Sequence, residues 1–89
     1  MNSKQLVMER LNLSTIGKKT AISDKWEGDV PALVVRRNGT ESYVIVRWDE
    51  KTGKPKVIFD PEGNNGMIKN IKCLFTGFKT KNTSEGEDK

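Results

Sequence analysis

Apolar and polar positions change period along the chain. Leu6, Val7 and Leu11 recur at a spacing that gives one apolar stripe, with Met8 beside it and Lys4, Glu9 and Arg10 outside. Ser3 stands where its hydroxyl can accept from a first-turn amide, which predicts a short helix over about residues 3–13. Two or so turns are marginal alone, so this helix must dock on the rest of the domain. Gly17 closes the segment, and Leu13 and Ile16 are expected to tuck under the body.

From Lys18 to Lys79 the helical period is lost. Thr20-Ala21-Ile22 reads as a short strand and Val30 to Arg37 as a longer one. Asn38-Gly39 follows, the strongest short hairpin signal, and predicts a two-residue turn that sets Arg37 opposite Thr40 and Leu33 opposite Val44. The return strand, Thr40 to Asp49, is rich in β-branched and aromatic residues. Both faces of this hairpin carry apolar residues, so both are expected to be covered. Glu50-Lys51-Thr52-Gly53 is a second reversal, and Pro55 suits the first position of a strand over Lys56 to Phe59. A loop of turn-formers runs from Asp60 to Gly66. In the last stretch Ile68, Ile71 and Leu74 are spaced as in a helix, but Thr76-Gly77 and the β-rich context predict a bent strand. Residues 80–89 contain no apolar side chain and read as a disordered tail.

These elements predict one mainly β domain over residues 1–79. Its expected form is a small SH3-like or OB-like barrel of four to five short antiparallel strands with one short N-terminal helix. Leu33, Val35, Val44, Val46, Trp48, Ile58 and Leu74 are the expected core. Leu, Ile, Val and Phe supply 21 of 89 residues, above the roughly 20 % below which chains stay disordered. The core is nevertheless thin, and a homodimer through an edge strand, over 56–59 or 67–75, would help it.

Site chemistry is narrowed by two counts: the chain has no His and one Cys. The usual zinc, haem, iron–sulfur and Cys–His or Ser–His arrangements cannot be built from it. Its carboxylates cluster in turns, around Trp26, at Asp49-Glu50 and at Asp60-Pro61-Glu62, where they serve local hydrogen bonding. Cys73, between Ile71 and Leu74-Phe75, reads as a small buried hydrophobe. No catalytic residue, metal site or cofactor is therefore expected. Apolar runs reach only four residues, so no membrane association is expected and a cytoplasmic location is.

What remains is charge. Sixteen basic and twelve acidic residues give +4, and the excess lies in the body rather than the tail. A basic body favours polyanions. The pattern predicts a small basic non-enzymatic domain that binds nucleic acid, either RNA or single-stranded DNA. Arg36, Arg37, Arg47, Lys54 and Lys56 are the expected rim cations, and Trp26 and Tyr43 the expected stacking residues. The alternative is a small inhibitor or adaptor, of phage-like size, that docks on a larger protein such as a polymerase, nuclease or toxin, with the same Arg and aromatic residues as anchors.

Overall fold

The computed structural model describes residues 2–15, 17–20, 26–63, 66–76 and 78–80. Helix α1 (Ser3–Arg10) is followed by β1 (Leu13–Thr15), β2 (Lys18–Thr20), β3 (Asp29–Arg36), β4 (Glu41–Asp49), β5 (Lys54–Phe59), β6 (Ile68–Thr76) and β7 (Lys79–Thr80). The main sheet is antiparallel, in the order β2-β6-β3-β4-β5, while β1 and β7 pair separately. The fold is mainly β, as the pattern predicts. The expected barrel is not closed among the described residues: β2 and β5 end the sheet and do not pair with each other.

The β3–β4 hairpin forms, but one register step away from expectation. Leu33 faces Tyr43, Ala32 faces Val44 and Val35 faces Glu41. Arg36 N donates to Thr40 O (2.8 Å) and Gly39 N to Arg36 O (2.9 Å), so the loop is Arg37-Asn38-Gly39, three residues rather than two. A two-residue I′ turn needs positive φ at both central residues; here Gly39 has it (φ 90°) and Asn38 does not. Asn38 Oδ1 instead accepts from Thr40 N and Thr40 Oγ1 (3.1 and 2.7 Å). Because side chains alternate with period two, this single step decides which residues share a face.

One face carries Val30, Ala32, Val34, Val44, Val46 and Leu74, all buried, with Trp26, Val57, Ile71 and Phe78 packed against them. The other carries Leu33, Cys73 and Phe75, flanked by Tyr43. Helix α1 docks against β4 and contributes the fully buried Val7. Both faces are thus covered, as the apolar pattern implies. Three expected core residues are less deeply placed. Val35 and Trp48 are only half-buried, and Ile58 is exposed. A bulge between Ile45 and Val46 shifts the β4–β5 pairing from Phe59 to Val57, and Ile58 falls in the skipped position.

Arg36 is the largest departure. Expected on the rim, it is 1 % exposed. The register sets it on the same face as Ser42, and its Nε donates to Ser42 Oγ (3.0 Å). Nη1 donates to Gly66 O (2.8 Å) and Asp60 Oδ2 (3.2 Å), and Nη2 to Asp60 Oδ1 (2.6 Å). Ser42 Oγ donates onward to Glu62 Oε1 (3.1 Å). A fork-shaped cation meeting a carboxylate with two parallel bonds is the strong form of this interaction. It ties the loop after β5 to the β3–β4 hairpin, where Arg37 N also donates to Met67 O (2.9 Å).

At the N-terminus the helix ends at Arg10 rather than about residue 13, and its cap is Asn2, whose Oδ1 accepts from Gln5 N (2.9 Å). Ser3 Oγ instead accepts from Tyr43 N (2.9 Å), beyond the last β4–β5 pair. Leu13 is buried, in β1; Ile16 lies outside the described residues. Gly17 (φ 92°) is obligatory, since a Cβ there would overlap Thr76 O and crowd Phe78 N. The expected strand over residues 20–22 is seen only as Lys18–Thr20, and residues 21–22 lie outside the description. Thr80, expected in the tail, pairs with Leu13; residues 81–89 lie outside the description.

The buried pair makes a stability prediction. Asp60→Ala leaves the Arg36 guanidinium, 0 % exposed at its side chain, without its counter-charge, and should cost about 3–5 kcal/mol. Asp29→Ala breaks a pair whose Arg47 side chain is 59 % exposed and should cost far less, because water and salt screen an exposed pair. Urea unfolding of both variants checks this; equal, small losses would mean that water reaches Arg36.

Candidate functional site

The turn over residues 50–53 reverses the chain between β4 and β5, closed by a bond from Gly53 N to Asp49 O (2.8 Å). Antiparallel register then sets Arg47 beside Lys56 and Asp49 beside Lys54. Asp49 Oδ1 accepts from Lys51 N (2.9 Å), which fixes the start of the turn. At this hairpin a cleft of about 350 Å³ opens, lined by Arg47, Trp48, Asp49, Glu50, Lys51, Lys56 and Ile58. Three cations, two carboxylates and the exposed Ile58 border it, while Trp48, paired with Pro55, turns its side chain to the opposite face of the sheet.

Two features of this hairpin come from the local fold. The bulge that displaces Ile58 gives the cleft an exposed aliphatic surface. Trp48 meets Trp26 edge to face, with ring centroids 5.5 Å apart and planes at 72°, a geometry that aromatic quadrupoles favour. Trp26 thereby braces Trp48 on the core face of the hairpin, opposite the cations. Its own Nε1 is buried and finds no hydrogen-bond partner among the described residues.

The cations differ in how far they are already engaged. Arg47 Nε and Nη2 donate to Asp29 (2.8 and 3.3 Å). These bonds and the attraction of Asp29 raise the Arg47 pKa above its ordinary value. Lys72, bonded to Glu41 at 2.9 Å, is raised in the same way. Lys51, Lys54 and Lys56 are exposed and form no ion pair among the described residues. Of the cations at this hairpin, they are the ones free to meet an outside charge.

Of the expected site residues, the structure brings together Arg47, Lys54 and Lys56, with Trp26 on the opposite face of the hairpin. It does not bring in the other three. Arg36 is buried in the Asp60 pair. Arg37 is exposed in the loop at the far end of β4, roughly 25 Å away at about 3.3 Å per residue. Tyr43 stacks on Phe75 (5.4 Å, 22°) and borders a separate shallow cleft with Lys4, Lys19 and Glu41. Lys51 and Ile58 belong to the site although the sequence reading sets Ile58 in the core.

Comparison with protein-family models, with curated proteins and with solved structures finds no match to this chain. Among the described residues no group of three or more Cys, Asp or Glu side chains is placed to hold a metal, and no helix is long and apolar enough to cross a membrane.

The indole contact is open to measurement. In a double-mutant cycle of Trp26→Leu and Trp48→Leu, the two substitutions should couple by about 0.5–1.5 kcal/mol of unfolding free energy. Strictly additive losses would mean that the rings do not hold each other in solution.

Proposed function

We propose that this protein is a small non-enzymatic domain that binds nucleic acid through the β4–β5 hairpin. One observation carries the reading: Arg47, Lys51, Lys54 and Lys56 gather at one hairpin, around a cleft in which Ile58 is exposed. Cations at a strand edge attract phosphates, and each phosphate neutralised releases condensed counterions. The edge itself speaks for the same use. Lys54, Pro55 and Lys56 open β5, and lysine, proline and a nearby bulge are the devices that keep an edge strand from pairing with another chain. They disfavour a homodimer through β5 and leave its charges outward. We further read the sheet as an open form of an SH3-like barrel, since bulges in both the β3–β6 and β4–β5 pairings bend it and both faces are covered.

The inhibitor or adaptor reading draws on a different place. Met67 is 68 % exposed and sits beside Arg37, held there by the Arg37 N to Met67 O bond. Arginine and methionine are enriched in protein interfaces.

Salt separates the two. Binding of RNA or DNA through three to four phosphates should fall with log salt at a slope of about −2 to −3. Lys54→Glu should flatten that slope by about one and leave the melting temperature nearly unchanged. If no nucleic acid binds at micromolar protein, or Lys54→Glu leaves the slope untouched, the hairpin is not the phosphate site and the Arg37–Met67 end becomes the surface to test.

A further inference from the structure

We infer that the shallow cleft beside Tyr43, apart from the β4–β5 hairpin, takes an unpaired base of a single strand, packed against the tyrosine while its phosphates lie on Lys4 and Lys19. The inference rests on the nucleic-acid reading and narrows it from polyanion to single strand. Three observations carry it.

The first is placement. Strand register sets Tyr43 opposite Leu33, Leu33 opposite Cys73, and Lys19 opposite Phe75, two residues on from Cys73. Residues paired across strands, or two apart along one strand, share a face, so the tyrosine and Lys19 project to the same side of the sheet. Tyr43 lies nearly parallel to Phe75 (5.4 Å, 22°). Phe75 is 3 % exposed and Tyr43 half-buried, so Tyr43 is the member of the pair that meets solvent. It borders a cleft of about 400 Å³ together with Lys4, Lys19, Leu33 and Glu41, a size within the range of small-ligand sites. A duplex keeps the faces of its bases inside the stack, so an aromatic ring at such a cleft serves only a base that has left the stack.

The second is charge. Lys4 and Lys19 are exposed and form no ion pair among the described residues. Glu41 brings a carboxylate to the same border, but Lys72 Nζ already meets it at 2.9 Å. An arriving phosphate therefore finds two uncommitted ammonium groups and a carboxylate that is already matched, around a ring that carries no charge.

The third is order before binding. Tyr43 N donates to Ser3 Oγ (2.9 Å), and Ser3 is itself 6 % exposed. The backbone is thus tied to helix α1 and the ring to Phe75, so little side-chain freedom is lost when a base arrives.

The test uses the whole protein and fluorescence anisotropy of labelled oligonucleotides of one length: single-stranded RNA, single-stranded DNA, the DNA duplex, and a DNA backbone abasic throughout. At least one intact single strand should bind about five- to a hundredfold more tightly than the abasic one, and more tightly than the duplex. Tyr43→Phe should keep that advantage and Tyr43→Leu should remove most of it, while Lys19→Glu should weaken binding at low salt more than at high salt. Should Tyr43→Leu fail to fold, the wild-type protein decides. Tyr43 is its one tyrosine, and the ring proton resonances should shift with the intact strand and stay in place with the abasic one. Suppose an intact strand binds with normal salt dependence, but the abasic strand or the duplex binds as tightly, or neither Tyr43→Leu nor the ring resonances respond. The cleft then takes no base: the nucleic-acid reading stands and this inference is overturned. If none of the four binds, both are overturned.

Discussion

The arrangement depends on the Arg36–Asp60 pair. A guanidinium cannot be withdrawn from water unless its donors are met, and Arg36 meets Ser42, Asp60 and the Gly66 carbonyl. Those partners come from β4, from the end of β5 and from the start of the β6 approach, so one side chain gathers three separate pieces of chain. A pair of this kind is weak evidence for extra stability, because desolvation offsets much of the attraction. Its use here is registration. Without Asp60 opposite it, the hairpin register that turns Arg36 inward would bury an unmatched charge, so the pair favours that register over its neighbours and brings β6 in alongside β3.

Once one end of the sheet is fixed in this way, the opposite end is left to chemistry. The charges there are arranged unequally: Arg47 is tied to Asp29, whereas the lysines of the turn and of β5 have no carboxylate partner among the described residues. Edge strands need outward charge to avoid self-association, and the same lysines that meet that need are those the functional reading uses. The aromatic pair follows a similar economy. Trp26 packs on the core and Trp48 leans on Trp26, so a half-exposed indole is held without being fully buried.

Much of the fold was legible in local pattern. The helix, the hairpin around Asn38-Gly39, the reversal at 50–53, the strand reading of Ile68–Thr76 and the burial of Cys73 each follow from spacing or turn chemistry close to the residues concerned. What was not legible is whatever depends on one backbone step or on a distant partner. Asn38 takes a non-left-handed conformation, which lengthens the loop by one residue and moves Arg36 from rim to interior. The β4–β5 bulge, which decides that Ile58 is exposed, has no residue signature in a run such as Lys56-Val57-Ile58-Phe59. The partner that makes a buried Arg36 tolerable is Asp60, 24 residues away, in a segment that reads as an ordinary turn. Of the site, the cations of β4 and β5 were legible; the separation of Arg37 and Tyr43 from them was not.

The claim that the β4–β5 hairpin is the nucleic-acid surface is tested most directly by following backbone and indole amide resonances while a single-stranded oligonucleotide is added. The account predicts that the amides of residues 47–58 shift together and saturate, while those of Arg37, Asn38 and Met67 stay in place. Shifts concentrated at Arg37 and Met67, or spread evenly over the surface, would contradict it.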